Sequence, residues 1–191
     1  VEADVKEWLK EKGKEFLKDI GIKEGQVVLD FGCNVGHYTI PAAEVVGEEG
    51  RVYAIDKDIE SLNELMRTAK IKGLRNIVPI LIQSSDLKIN LKDESVDVIL
   101  LYDVLHYIDA MGRNKIYNES YRILKNDGLL SVYPKHNKSD EPLWNLSNMQ
   151  LEDVIKEIES TKFRFERQFY KKLIHNNIYN MGYILNFIKM R

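Results

Sequence analysis

The chain has 191 residues, 44% of them hydrophobic, enough for one domain with a real core. Its 28 Lys and Arg against 30 Asp and Glu leave a net charge of −2, which argues against a protein that coats nucleic acid. No run of about 18 apolar residues is present to span a membrane, the Lys/Glu-rich opening is not a secretory signal, and a single cysteine excludes a disulfide framework or a thiolate metal cluster. The expectation is a soluble cytoplasmic protein with no metal site and no membrane partner.

Residues 4–20 predict an amphipathic helix, with Val5, Trp8, Leu9, Phe16, Leu17 and Ile20 on one side and Gly21 as its stop. In the stretch VVLDFGCNVG, residues 27–36, the aliphatic Val27, Val28 and Leu29 fit a strand covered on both faces. Asp30 ends that run. Gly32 and Gly36 bracket a turn where a side chain would block close backbone approach or a positive φ. A helical pattern follows (Tyr38, Ala42, Ala43, Val45, Val46), so N–H groups at its start can face a ligand. The dinucleotide fingerprint G-x-G-x-x-G does not fit, because its later glycines would fall on Asn34 and His37.

A second strand over 51–55 ends at Asp56, and Ile59, Leu62, Leu65, Met66 and Ala69 then recur at helical spacing as far as Gly73. Residues 77–82, interrupted by Pro79, predict a third strand before Ser84, Ser85 and Asp86, and 96–101 a fourth. A helix over 113–124 leads to the turn Lys125-Asn126-Asp127-Gly128 and a fifth strand over 129–133. After a helix over 151–160, residues 163–170 and 183–190 read as two strands without a full helix between them, an antiparallel pair at one sheet edge. The earlier alternation of strands and helices predicts a parallel sheet wrapped on both faces.

In such sheets the ligand lies across the C-terminal ends of the strands. Asp56 stands where a carboxylate can accept hydrogen bonds from both ribose hydroxyls, a device that NAD enzymes share. Cys33 reads as a packed residue of the turn and not as a nucleophile. His106 carries the side chain best suited near pH 7 to take a proton, and its plainer reading is a capping or packing histidine. His136 is a weaker candidate in a loop; His37 caps or packs, and His175 sits in the basic C-terminal region. Trp144, within residues 134–149, reads either as an aromatic flap over a cleft or as a pin holding its loop to the body. Lys162, Arg164, Arg167, Lys171, Lys172, Lys189 and Arg191 crowd the C-terminus against Glu166 alone. That pattern fits a solvated edge face, or a site for a phosphate-bearing substrate or RNA.

The run from Asp30 to Gly36, D-x-G-x-x-x-G, resembles the first motif of class I S-adenosylmethionine-dependent methyltransferases, an acid followed by G-x-G-x-G. Asn34 replaces the middle glycine, and Asn tolerates left-handed backbone better than most residues. The antiparallel ending is similar to the sixth and seventh strands of that fold, and LKNDGLL resembles the LKPGG element before its fifth strand. The segment DVLHYI resembles the VLHH-like segment of small-molecule methyltransferases (type 11) related to the quinone-biosynthesis enzymes. The resemblance covers about residues 22–191.

It implies a single doubly wound α/β domain, a mostly parallel seven-stranded Rossmann-like sheet with an antiparallel C-terminal hairpin. Its parts would be an N-terminal helix cap (1–21), a cofactor-binding core (22–133), a substrate-cleft loop (134–150), and the last helix with the hairpin (151–191). It also implies S-adenosylmethionine as donor and S-adenosylhomocysteine as product. By resemblance, Asp30 anchors the donor's amino group, often through water. The turn of Gly32, Cys33, Asn34 and Gly36 runs along its methionine and ribose, Asp56 takes the ribose hydroxyls, and Lys57 flanks the adenine. Asp86 accepts from the adenine amino group beside the Leu87 N–H, and Tyr102 lines the methionine end. His106 would be the base, with Tyr107, His136 and Trp144 as substrate contacts.

No N/D-P-P-Y/F sequence follows the fourth strand, where Tyr102-Asp103-Val104-Leu105 stands, which argues against methylation of exocyclic base amines. No cysteine lies there for a covalent route to pyrimidine C5. The expected activity is methyl transfer by in-line displacement to an unidentified acceptor, a small molecule first. The alternatives are an RNA or protein methyltransferase that uses the basic hairpin, and a non-catalytic protein that binds S-adenosylmethionine.

Overall fold

A computed structural model describes residues 3–83 and 87–191. Its strands are β1 (Val27–Phe31), β2 (Arg51–Asp56), β3 (Ile77–Leu81), β4 (Val96–Tyr102), β5 (Leu124–Tyr133), β6 (Phe163–His175) and β7 (Ile178–Lys189). They form a seven-stranded sheet in the order β3-β2-β1-β4-β5-β7-β6. β1 with β2, β2 with β3 and β4 with β5 pair in parallel, and β5 with β7 antiparallel. This is the doubly wound class read from the sequence, with its antiparallel ending. The chain folds as two compact units, Val1–Gln83 with Lys172–Met181, and Ser84–Lys171 with Gly182–Arg191.

In the first unit the N-terminal amphipathic segment is helical throughout its expected length but changes pitch. An α-helical start, α1 (Ala3–Glu7), passes through a π-helical stretch (Trp8–Lys12) into α2 (Gly13–Ile20). The wider π turns rotate the apolar stripe. Trp8, Phe16, Leu17 and Ile20 are therefore buried, while Leu9, expected on the same side, stays half-buried. Trp8 Nε1 donates to the His37 carbonyl at 2.7 Å, and its ring meets Phe16 and Tyr38. The next helix, α3 (Thr39–Val46), is buried along nearly its whole length. In α4 (Ile59–Ile71), Leu62, Leu65 and Ala69 form the buried face, and Asp58 caps the start by accepting from the Glu60 N–H. β3 is an edge strand, which is where Pro79 is tolerated.

In the second unit β4 is almost wholly buried. Helix α5 (Ala110–Ile123) starts earlier than the expected 113 because the Asp109 carboxylate caps it, accepting from Gly112 N at 2.8 Å. It is tied to α6 (Leu151–Glu159) by buried Arg113, whose Nε and Nη2 each donate to Glu157 at 2.8 Å. β5 begins at Leu124 and not at 129. Val96 pairs with Leu124 and Val98 with Leu129, so residues 125–128 form a bulge inside the strand, with Asp127 at φ 61°. β6 and β7 also run further than expected, to Asn176 and Asn177 at φ 49° and 66°. Two successive left-handed residues make the type I′ connection that suits strand twist. Among the described residues no helix is long and apolar enough to cross a membrane.

Candidate functional site

In the first unit the turn after β1 is built around two carboxylates. Asp30 is only 2% exposed, and Thr39 Oγ1 donates to it at 2.6 Å, fastening the strand end to the start of α3. Burial pushes its pKa up to about 6; the Thr39 hydroxyl opposes that rise and the negative charge of Asp56 adds to it. Asp56, at the end of β2, receives the Asn34 N–H on Oδ2 at 2.7 Å and the Asp58 N–H on Oδ1 at 3.0 Å. A carboxylate has about four lone-pair sites, so Asp56 keeps acceptor capacity for hydroxyl donors.

The turn is left-handed where the sequence suggested, with φ of 74° at Gly32, 47° at Asn34 and 91° at Gly36. A Cβ on Gly36 would collide with Leu65 Cδ1. The turn amides are largely committed inside the protein. Gly32 and Cys33 both donate to the Ile55 carbonyl, at 2.8 and 2.9 Å, and Gly36 donates to the Cys33 carbonyl at 2.9 Å. At Gly36 the missing side chain makes room for Leu65. Cys33 is buried, its thiol donating to the Asn34 carbonyl at 3.6 Å. Burial, then the charges of Asp30 and Asp56, push that thiol far up, so it is no nucleophile. Burial lowers the His37 pKa, and its carbonyl is the acceptor for Trp8. Lys57 is exposed and Leu87 half-buried, and Asp86 lies outside the described residues.

In the second unit β4 delivers a cluster of a different kind. Tyr102 is turned inward, its hydroxyl 2.8 Å from Ser131 Oγ and its ring edge-on to Tyr133. Asp103 follows at φ 55°, held there by its N–H on the Tyr133 carbonyl at 3.0 Å. Its Oδ1 lies 3.7 Å from His106 Nδ1 and 3.9 Å from His136 Nε2. His106 is 2% exposed, with its ring centre 4.1 Å from Tyr107, 4.5 Å from His136 and 5.6 Å from Trp144. Tyr107 and Trp144 touch each other at 4.9 Å. His106, Tyr107, His136 and Trp144, picked out separately in the sequence, are thus one cluster. Asp103 stands in the sequence beside Tyr102, where the resemblance has the chain line the methionine end, and was not singled out there as a partner of the histidines. Its signal was an acid directly after an apolar strand and three residues ahead of a histidine.

Several of the C-terminal cations contact the protein's own groups. Arg167 and Lys171 lie over Phe169 at 5.7 and 5.8 Å, and Lys172 over Tyr179 at 5.0 Å. Lys189 sits over Tyr121 at 4.6 Å and donates to the Leu124 carbonyl at 2.7 Å, and Arg191 pairs with Asp127 at 3.2 Å.

Fold and turn converge on one class. The chain belongs to the methyltransferase domain family, whose sequence profile matches residues 22–182. A solved S-adenosylmethionine-dependent methyltransferase from Aquifex aeolicus is 26% identical and superposes with a TM-score of 0.74, over 92% of this chain and 88% of that one. A probable cobalt-precorrin-6B C(15)-methyltransferase (decarboxylating) of Saccharolobus solfataricus is 46% identical over 65 residues, 34% of this chain and 33% of that protein. A demethylmenaquinone methyltransferase of Lactobacillus johnsonii is 29% identical over 121 residues, 62% of this chain and 48% of that protein. The matched stretches therefore span between a third and a half of these curated relatives.

Proposed function

We propose that the chain transfers a methyl group from S-adenosylmethionine to a small-molecule acceptor. The observation that carries this is the pair of carboxylates on one glycine turn: Asp30, buried and ready for a cationic partner, and Asp56, tied to Asn34 with lone pairs to spare. An amino group would relieve the cost of burying Asp30, and ribose hydroxyls would fill Asp56. A nucleoside that carries an amino acid supplies both. The methionine part would run along Gly32, Cys33, Asn34 and Gly36, the Lys57 stem would flank the base, and Asp86 with Leu87 would read its edge. Tyr102, turned inward, would contribute through its backbone.

When bound, the donor supplies a methyl carbon already activated by a sulfonium, and the departing sulfur keeps the electron pair of the broken bond. The chain need only align the acceptor, exclude water and remove a proton. His106 would take that proton on Nε2, with Asp103 facing Nδ1 at 3.7 Å to orient the ring and steady its charge. At 2% exposure His106 lies beneath its aromatic neighbours Tyr107 and Trp144, so an acceptor would meet those rings first. The C-terminal cations Arg167, Lys171 and Lys172 lie over the protein's own rings, which accounts for them in the hairpin without a nucleic-acid partner. Two of the relatives are named for small-molecule acceptors, a precorrin and a demethylmenaquinone, and another, of Methanocaldococcus jannaschii, is named for tRNA(Phe).

The test is a donor labelled on its methyl group, incubated with the protein and either a metabolite extract or total RNA. Label in a small organic product is the expected result. Label in acid-precipitable RNA, or none in either, contradicts the reading.

A further inference from the structure

Trp144 is held in a way that packing does not require. Its backbone is at φ 47°, a left-handed conformation that a bulky residue adopts only where its surroundings impose it. The loop around it does not need the indole as a pin. Leu146 is fully buried, Lys135 is buried against Asp140 at 2.7 Å, and Leu143 N donates to the His136 carbonyl at 3.1 Å. Asn145 Nδ2 adds a bond to the His106 carbonyl at 3.1 Å. A loop so fastened presents Trp144 57% exposed, beside Tyr107 at 60%. Two large aromatic faces are left in water at a site where burying either would be favourable.

The rings are also ordered. The Trp144 plane lies within 23° of the His106 ring, in a stacked arrangement, while Tyr107 meets both at 39° and 49°. The exposed faces of Trp144 and Tyr107 can take a further flat ring, and they give a puckered, saturated body of equal size much less contact. Beneath lie the two imidazoles that share Asp103, a proton acceptor next to the shelf.

We infer that Tyr107 and Trp144 form the acceptor-binding shelf and that the acceptor is a flat aromatic compound bearing an ionisable hydroxyl. This rests on the methyl-transfer reading for the word acceptor, while the shelf itself stands on the geometry. Tyr107 and Trp144 are binding residues here, and His106 remains the group that receives the proton.

The probes are 2-naphthol and its saturated counterpart decahydro-2-naphthol, titrated by calorimetry and followed by NMR of the indole N–H signals. The chain has two tryptophans, and Trp8 is 1% exposed, so only one indole is open to a probe. The shelf predicts that 2-naphthol shifts the Trp144 indole signal saturably and leaves that of Trp8 in place. It predicts at least about tenfold weaker binding of the saturated probe, and a loss of similar size in Trp144→Ala and Tyr107→Ala. Trp144→Phe keeps most of the affinity and guards against misfolding as the cause. Equal affinity for the two probes, an unmoved Trp144 signal, or full affinity in Trp144→Ala overturns the inference. S-adenosylhomocysteine is titrated into the same samples to separate the two readings. Donor binding without a naphthol response sinks the shelf alone; a naphthol response without donor binding upholds the shelf and sinks the methyl-transfer reading.

Discussion

Burial lifts the Asp30 carboxyl to about 6 because the packed end of β1 does not replace the water a carboxylate loses, and the Thr39 hydroxyl offsets only part of that cost. Between 3.8 and about 6 the folded chain holds a proton that the unfolded chain has released. The unfolded state then binds fewer protons, so stability from this group is full below the unfolded value and is lost as pH rises through the folded one. Asp30→Asn should therefore stabilise the ligand-free protein at about pH 8 by on the order of 2–3 kcal/mol more than at about pH 4, read from urea denaturation at both. An equal effect at both would contradict the assigned burial cost. Asp56→Ala removes the acceptor of the Asn34 and Asp58 amides as well as that proposed for ribose, and should weaken S-adenosylhomocysteine binding by about 1–3 kcal/mol. Calorimetry showing unchanged affinity would refute the role. His106→Ala should leave that affinity intact and slow turnover of any acceptor that loses a proton; unchanged turnover would remove its role as base.

The turn between β1 and α3 packs closely against α4, and Gly36 is where Leu65 comes nearest. Gly36→Ala would set a methyl against Leu65 Cδ1 at φ 91°, so it should cost about 1–3 kcal/mol of stability, read by urea or thermal unfolding. A neutral result would mean that α4 yields more easily than its buried Leu65 suggests. At the other end of the chain, Asn177→Gly should stabilise the β6–β7 hairpin by about 0.5–1 kcal/mol, since φ of 66° costs Asn more than Gly. The sequence already showed these elements in part. The aliphatic runs of β1 and β4 and the spacing of Leu62, Leu65 and Ala69 carry their period openly. The Asn176-Asn177 turn was missed because Asn-Asn is a weaker hairpin signal than Asn-Gly, and the bulge at 125–128 looked like the loop it interrupts. The π stretch was not readable at all, because it depends on how Trp8 packs against His37 and Tyr38 and on no local pattern.

Across the molecule the parts legible in the sequence are those set by backbone need: glycines in a left-handed turn, and acids at strand ends. Asp30, Asn34 and Asp56 stand out that way; Asp56 accepts the Asn34 N–H, and its negative charge adds to the rise in the Asp30 pKa. The histidine and aromatic cluster was legible only as scattered candidates, because Asp103, His106, His136 and Trp144 meet through loops whose course no periodicity records. The family match covers residues 22–182 and agrees with the turn-based reading over that range. Under the proposed function the Asp30–Asp56 turn would select an amino-acid nucleoside over a dinucleotide. Calorimetric titration of the purified chain with S-adenosylhomocysteine and, separately, with NAD tests this most directly. The account predicts saturable binding of S-adenosylhomocysteine that Asp30→Asn and Asp56→Ala weaken, with NAD giving no comparable signal. Tighter binding of NAD, or binding of S-adenosylhomocysteine indifferent to both substitutions, would contradict it.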